Sequence, residues 1–170
     1  MRSYEERAKS FIEEIYPYLI GNLISNDFYR ADRNVERYNK EKSRKVRIKE
    51  GLSRVVLVTS DYVVKIDKKL YCSYGTCKDE CTAYAKAKAA GFEHLFAKPT
   101  PYSFNGYTFY IMPRIRNINL WRADDDYYME FVTSEEQDWL DDHIHDLHSG
   151  NYGFKDGKLV IVDYAWNNFE

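Results

Sequence analysis

Two carboxylates and one carboxamide near the end of the sequence have the spacing that a magnesium site would need. Asp146 and Asn151 are five residues apart in one predicted loop, and Asp163 stands at the end of the strand hairpin that follows. Because such a hairpin returns the chain to the loop from which it starts, the three side chains should converge. Mg²⁺ takes oxygen ligands, and bound phosphates complete its octahedron. Phosphoryl transfer depends mainly on positioning and charge neutralisation, so these residues and one lysine would supply most of its chemistry.

Two motifs in this region resemble those of the protein-kinase-like superfamily. The loop D-L-H-S-G-N, residues 146–151, is similar to the catalytic loop D-x-x-x-x-N. Its D-L-H-x-x-N form is closer to antibiotic kinases and atypical kinases than to H-R-D protein kinases. The triplet D-Y-A, residues 163–165, resembles the D-F-G motif. The resemblance covers about residues 46–166 and is closest to small kinase-like proteins encoded by bacteriophages.

This resemblance implies ATP and Mg²⁺ as cofactors and assigns a role to each polar residue. Asp146 would be the catalytic base, and Asn151 and Asp163 would be magnesium ligands. The segment Y-V-V-K, which ends at Lys65, looks like the third-strand V-A-I-K motif. Lys65 would then hold the α- and β-phosphates, and Glu80 on the following helix would be its ion-pair partner.

The expected nucleotide pocket departs from the family pattern. Met112 and Arg114 are candidates to line the adenine slot. Where the family has Gly-x-Gly-x-x-Gly over the phosphates, the segment K-E-G-L-S-R-V has only Gly51. Backbone amides at Leu52 and Ser53 could still contact phosphate, with a weaker grip.

Further departures concern the catalytic loop and the substrate side. Ile144 stands where a histidine is usual, and Ala165 replaces the glycine of the D-F-G motif. The sequence ends seven residues after Asp163, with no activation segment and no helical platform for a peptide. We therefore expect a truncated C-lobe, unless residues 1–45 replace its substrate half.

The function expected is a minimal ATP- and Mg²⁺-dependent phosphotransferase whose acceptor, a protein or a small molecule, is unknown. The alternative is a catalytically inactive, pseudokinase-like module that binds and modulates another protein, which would be a host protein if the chain is viral.

The elements that must position these residues follow from periodicity. Residues 3–25 carry a helical apolar stripe, with a kink or two abutting helices expected at Pro17. Residues 26–43 are polar and fit either a loop or a solvated helix. The stripe would pack on its own domain, bind a partner groove or form a homodimer through the N-terminal helices; its residues are Phe11, Ile12, Ile15, Leu19 and Leu23.

The rest of the chain alternates between strand and helix patterns. The expected order is a strand hairpin at 53–59 and 62–67, a helix at 78–91, a strand at 107–112, a helix at 133–145 and a strand at 158–164. This order predicts an α+β, kinase-like fold in two lobes. The domains would be an N-terminal helical extension at 1–45, an N-lobe at 46–112 and a truncated C-lobe at 113–170.

The composition bears on which broad class of protein this is: globular, nucleic-acid-binding, membrane-bound or secreted. Hydrophobic residues make up 44% and charged residues 31% of the chain, as in ordinary globular proteins. The net charge of −2 gives no general attraction to nucleic acid or anionic membranes. Six basic residues occur within 40–49, but their alternation with Val46 and Ile48 suits a half-exposed strand better than a nucleic-acid site. No segment predicts a membrane span or a signal peptide, and three cysteines argue against a disulfide scaffold, so a cytoplasmic protein is expected, in the host cytoplasm if it is viral.

Two clusters of metal-binding residue types remain as weaker alternatives. One surrounds the catalytic loop and contains His143, His145, Asp146 and His148. The other would be a zinc site formed by Cys72, Cys77, Cys81 and His94, in a spacing that matches no familiar zinc motif.

Overall fold

The computed structural model describes residues 2–69, 75–117, 125–165 and 167. Within these residues the chain forms four α-helices, eight β-strands and two short 3₁₀ helices, Glu93–Leu95 and Asp125–Phe131. It divides into two compact units, the first comprising Met1–Ser73 and Thr100–Arg114, the second Tyr74–Pro99 and Ile115–Glu170. The α+β class expected from the sequence is confirmed. None of the described helices has an apolar stretch long enough for a membrane crossing.

The first unit begins with two helices. Helix α1, Tyr4–Ser25, starts at a reciprocal cap in which the Ser3 hydroxyl accepts the Glu6 N–H and the Glu6 carboxylate accepts the Ser3 N–H. The helix continues through Pro17, so the expectation of two abutting helices there is wrong. The sequence left either a loop or a solvated helix open for residues 26–43. The structure has a helix there, α2, at Ala31–Lys42. Its buried side chains recur at helical spacing: Ala31, Val35 and Tyr38.

A five-stranded antiparallel sheet completes the first unit. Its strands are β1 Arg47–Glu50, β2 Arg54–Val58, β3 Tyr62–Asp67, β4 Thr100–Phe104 and β5 Tyr107–Pro113, in the spatial order β1-β2-β3-β5-β4. The predicted β2–β3 hairpin and the strand after Asn105-Gly106 are confirmed. At that turn Asn105 and Gly106 have φ values of 48° and 80°, which Asn and Gly tolerate best. The edge strand β4 was not predicted.

One face of this sheet is covered by the two helices. The apolar stripe of α1 is buried in this core, so a homodimer through the N-terminal helices would have to use other side chains. The sheet contributes alternate residues of its central strands: Val55, Leu57, Val64, Ile66, Phe109 and Ile111. Because successive side chains of a strand point to opposite faces, Lys65 lies on the face away from α1 and α2.

The second unit contains the remaining helices. Helix α3, Cys77–Ala89, is capped by Thr76 together with Asp79, and helix α4, Ser134–His143, by Thr133 together with Glu136. Both are capping boxes that satisfy N–H groups at the first turn. Both helices were predicted from the sequence.

The second unit also contains a three-stranded antiparallel sheet. Its order is β6 Arg116–Asn117, β7 Tyr152–Lys155 and β8 Lys158–Ile161. Strand β6 lies so close that a Cβ added at Gly153 would be 2.4 Å from the Arg116 carbonyl oxygen. Only glycine fits this register. The chain after the first 3₁₀ helix is tied to β8, because the Ala97 N–H donates to the Ile161 carbonyl at 2.9 Å.

Candidate active site

The loop from Asp146 to Asn151 is closed by hydrogen bonds of its last residue. The Asn151 side-chain Nδ2 donates to the Asp146 carbonyl at 2.6 Å, and the Asn151 N–H donates to the His148 carbonyl at 2.8 Å. Asn151 is only 8% exposed, whereas the Asp146 side chain is 58% exposed. The loop therefore buries its anchor and presents its carboxylate to solvent.

The β7–β8 hairpin brings Asp163 back to this loop. The hairpin turns at Asp156 and Gly157, which have φ values of 52° and 76°. Beyond β8, the N–H groups of Val162 and Asp163 both point at the Asn151 carbonyl, at 2.7 Å and 3.3 Å. The structure thus places Asp163 beside the loop that carries Asp146 and Asn151.

The His148 side chain lies close to two other residues of this loop, Asp146 and Gly150. Its Nδ1 accepts the Gly150 N–H at 3.0 Å, so a neutral ring carries its proton on Nε2. That Nε2 lies 3.9 Å from Asp146 Oδ1. A Cβ at Gly150 would come within 2.8 Å of the His148 ring, so glycine lets the imidazole fold over the loop.

Glu80 lies in the second unit and is fully buried. Its Oε1 is 3.5 Å from the backbone nitrogen of Tyr164, the residue after Asp163. Tyr164 is 1% exposed, and its hydroxyl donates to the Ala97 carbonyl at 2.6 Å. Burial, and then the nearby Glu80 charge, raise the pKa of Tyr164 well above 10, so the phenol keeps its proton at neutral pH.

Asn167 fastens the same segment from its other end. Its Nδ2 lies 3.0 Å from the Tyr164 carbonyl, 3.2 Å from the Ala165 carbonyl and 3.4 Å from the Asp79 carbonyl at the start of α3. Tyr164 and Asn167 were not given roles from the sequence. The only signal was their position just after Asp163, and it did not reveal the α3 contact.

The other predicted residues lie in the first unit. Lys65 is in the middle of β3, opposite Val56 and Tyr110, and is 5% exposed. Met112 is 1% exposed in β5. Arg114 follows β5, and its Nη1 donates to the Thr59 carbonyl at 2.6 Å, so its side chain is held at the β2–β3 turn.

Gly51 and Ser53 form the turn between β1 and β2. The Gly51 N–H donates to the Arg54 carbonyl at 2.8 Å, and the Ser53 carbonyl accepts the Lys68 N–H at 2.8 Å. The Lys68 ammonium also reaches Glu50 Oε1 at 2.6 Å and the Gly51 carbonyl at 2.9 Å. Lys68 was not singled out in the sequence, and it fixes the turn expected to contact phosphate.

The donor set of the second unit fits a partly protein-bound Mg²⁺. Because Asn151 uses its Nδ2 to hold the loop, its amide oxygen is the atom left to act as a ligand. Asp163, whose main-chain N–H lies beside the Asn151 carbonyl, would supply a carboxylate, and phosphates and water would complete the octahedron, as is usual for this ion. Across the described part of the chain, no group of three or more His, Cys, Asp or Glu side chains forms a metal site.

In the two other candidate metal clusters, at His143 and at His94, these histidines contact other residues of the chain. His143 Nδ1 is 2.7 Å from the Trp139 carbonyl, and the two rings stack with centroids 4.5 Å apart. His94 Nε2 is 2.7 Å from Glu136 Oε1. Cys77 is buried and Cys81 half-buried, while Cys72 lies outside the described residues.

Comparison with known proteins gives one distant likeness of note. No protein-family model matches the chain, and no curated protein matches it. Solved structures that resemble it include the Lpg2603 kinase of Legionella pneumophila, bound to IP6, at 14% identity and a TM-score of 0.46. The match covers 76% of this chain and 50% of that kinase, so this chain spans about half the kinase's length.

Proposed function

We propose that this chain is a kinase-like phosphotransferase that uses ATP and Mg²⁺. The observation that supports this most is the convergence of three residues on one loop and hairpin. Asn151 binds the loop through the Asp146 carbonyl, and its own carbonyl accepts the N–H groups at Val162 and Asp163. These bonds bring the backbone of Asp163 next to the loop that carries the exposed Asp146 carboxylate, which supports a site that uses all three residues.

In this proposal each polar residue has one task. The oxygen of the acceptor hydroxyl attacks the γ-phosphorus while Asp146 accepts the hydroxyl proton. The bond between the γ-phosphorus and the bridging oxygen breaks, and that oxygen leaves with ADP. Asn151 and Asp163 hold Mg²⁺, which neutralises charge on the phosphates when bound. Lys65 binds the α- and β-phosphates and Glu80 pairs with Lys65.

The remaining contacts proposed with the nucleotide come from the first unit. Met112, buried in β5, and Arg114, just after it, would line the adenine slot. Gly51 and Ser53 would contact phosphate through the β1–β2 turn.

The same turn favours a second candidate, a module that binds a protein without transferring phosphate. The Gly51 N–H already donates to the Arg54 carbonyl. A phosphate grip needs amides that are available to the ligand. If the turn stays closed, nucleotide binding fails and only the partner-binding role remains.

The test is thermal unfolding with ATP and Mg²⁺, with EDTA as the metal-free control, followed by ATP hydrolysis. A ligand at about 100 times its Kd adds about 2.7 kcal/mol to the stability. Asp163→Asn should lose the Mg²⁺-dependent shift. Asp146→Asn should keep it but lower hydrolysis by about 10²–10⁴-fold, the usual contribution of a general base.

Asp138→Asn is the matched control, since Asp138 is an exposed carboxylate on α4 in the same unit. It should behave like the unmodified chain in both assays. A shift that survives in Asp163→Asn, or hydrolysis that survives in Asp146→Asn, would contradict the assigned roles. The absence of any nucleotide-dependent shift would favour the binding module instead.

A further inference from the structure

A cavity of about 470 Å³ in the first unit is not used by the proposed phosphotransfer. It lies where three segments meet: the first turns of α1, the connection from α2 to β1, and the β2–β3 turn. Its lining includes four cationic side chains, Arg2, Arg7, Arg44 and Lys45. Such a concentration of positive charge is notable in a chain whose net charge is −2.

Arg7 is held in place from two sides. Its Nε lies 3.2 Å from Asp61 Oδ2, its Nη2 contacts the same oxygen, and its Nη1 donates to the Arg2 carbonyl at 2.6 Å. A hydrogen bond from Ser60, together with Arg7, lowers the pKa of Asp61 despite partial burial. Asp61 is therefore ionised at neutral pH and orients the guanidinium, whose plane borders the cavity.

The other carboxylate of the cavity is shared between two partners. Glu14 Oε2 accepts the Tyr38 hydroxyl at 3.0 Å and lies 3.5 Å from Arg44 Nη2. Within the described residues, Arg2 and Lys45 have no side-chain ion pair. Four cations thus face two carboxylates, and the cavity keeps an excess of positive charge.

The remaining walls suit a small polar ligand. Hydroxyl groups line the cavity at Ser10, Ser43 and Ser60. Phe11 and Tyr62 form an apolar side, with ring centroids 5.8 Å apart. The volume lies within the range of about 300–1,000 Å³ that is usual for small-molecule sites.

We propose that this cavity binds a compact polyanion, a small molecule that carries two or more phosphoryl groups. Arginine guanidinium groups match phosphate oxygens in two-point hydrogen bonds, and the hydroxyls can donate to the same oxygens. A nucleic-acid strand needs a groove that follows its backbone, and here the cations surround a pocket instead. The basic run at 40–49 is thereby divided: Arg44 and Lys45 line the cavity, whereas Lys40 and Lys42 do not.

This division supplies a matched pair of variants. Tripolyphosphate is titrated into the full chain by calorimetry, with EDTA present so that no divalent metal contributes. Arg44→Ala/Lys45→Ala should weaken its binding at least about tenfold, since charged hydrogen bonds are lost. Lys40→Ala/Lys42→Ala removes the same charge from exposed positions of the same run and should bind like the unmodified chain.

Three further measurements separate binding in this cavity from binding elsewhere on the chain and from a general attraction to polyanions. Thermal unfolding of both double variants should be unchanged, because the four residues are exposed. Arg44→Ala/Lys45→Ala should keep the Mg²⁺-dependent thermal shift with ATP, which keeps this test independent of the proposed nucleotide site. A short single-stranded oligonucleotide should not displace tripolyphosphate. The proposal is overturned if the unmodified chain does not bind, if the two double variants lose binding equally or not at all, if Arg44→Ala/Lys45→Ala also loses the Mg²⁺-dependent shift with ATP, or if the oligonucleotide competes.

Discussion

The Tyr164 hydroxyl offers a sharp test of how the Asp163 segment is held. In Tyr164→Phe the ring remains against Phe96, whose centroid is 4.8 Å away, and only the hydroxyl is removed. The Ala97 carbonyl then loses a donor at 2.6 Å, in a residue that is 2% exposed. Leaving a buried acceptor without its partner costs about 1–3 kcal/mol. Because the pKa of Tyr164 lies well above 10, this loss should be the same from pH 6 to pH 9.

The assay is urea unfolding of the variant and the unmodified chain, supported by melting temperatures. For a chain of this length, each kcal/mol corresponds to about 2–4 °C. Tyr84→Phe is the control: Tyr84 is a half-buried tyrosine on α3 whose hydroxyl has no hydrogen-bond partner in the described part of the chain. Its loss should change the stability by less than about 0.5 kcal/mol. Equal stability of the two variants would refute the reasoning.

Two further predictions concern the second unit. Gly153→Ala should destabilise the chain by about 3 kcal/mol or more, because the new Cβ would meet the Arg116 backbone at 2.4 Å. Gly21→Ala, in open space on α1, should instead stabilise it by about 0.5–1 kcal/mol, and chemical unfolding that gives both variants the same sign would contradict this. Burial raises the pKa of Glu136, but hydrogen bonds at the helix N-terminus and from His94 outweigh it and hold the pKa below 4.5. Its stabilising effect is therefore present above pH 4.5 and lost as the pH falls, so the stability deficit of Glu136→Gln should shrink in acid, and a constant deficit across an acid titration would be inconsistent with it.

Features with a local cause could be predicted from the sequence. The capping box of α4 needs only Thr133 and Glu136, three residues apart. The turns at Asn105-Gly106 and Asp156-Gly157 need two consecutive residues with positive φ. Asn, Asp and Gly are the residues that adopt this conformation most readily, so both turns can be read from the sequence. The approach of the Asp163 backbone to the loop at residues 146–151 could be predicted from the second turn, because a tight hairpin must return to its start.

Features with a distant cause could not be predicted. Strand β4 begins beside a proline and has no fully buried residue, so its pattern gives no strand signal without its partner β5. Strand β6 has two residues and depends on the missing side chain of Gly153. The role of Tyr164 rests on Ala97, which is 67 residues away in the sequence. Helix α2 was left open because its polar surface masks three buried positions.

Main-chain groups of the two aspartates take part in the hydrogen bonds that hold the loop at residues 146–151. Asp146 contributes its main-chain carbonyl, and Asp163 contributes its main-chain N–H. Replacing either aspartate by asparagine leaves both of these groups in place and nearly preserves the shape of the side chain, so melting temperatures measured beside activity separate a loss of activity from a loss of fold. Asn151 differs, because its side chain is both the anchor of the loop and a proposed metal ligand. A substitution there would change structure and metal binding together, and the two aspartates are therefore the residues that can decide whether this site transfers phosphate.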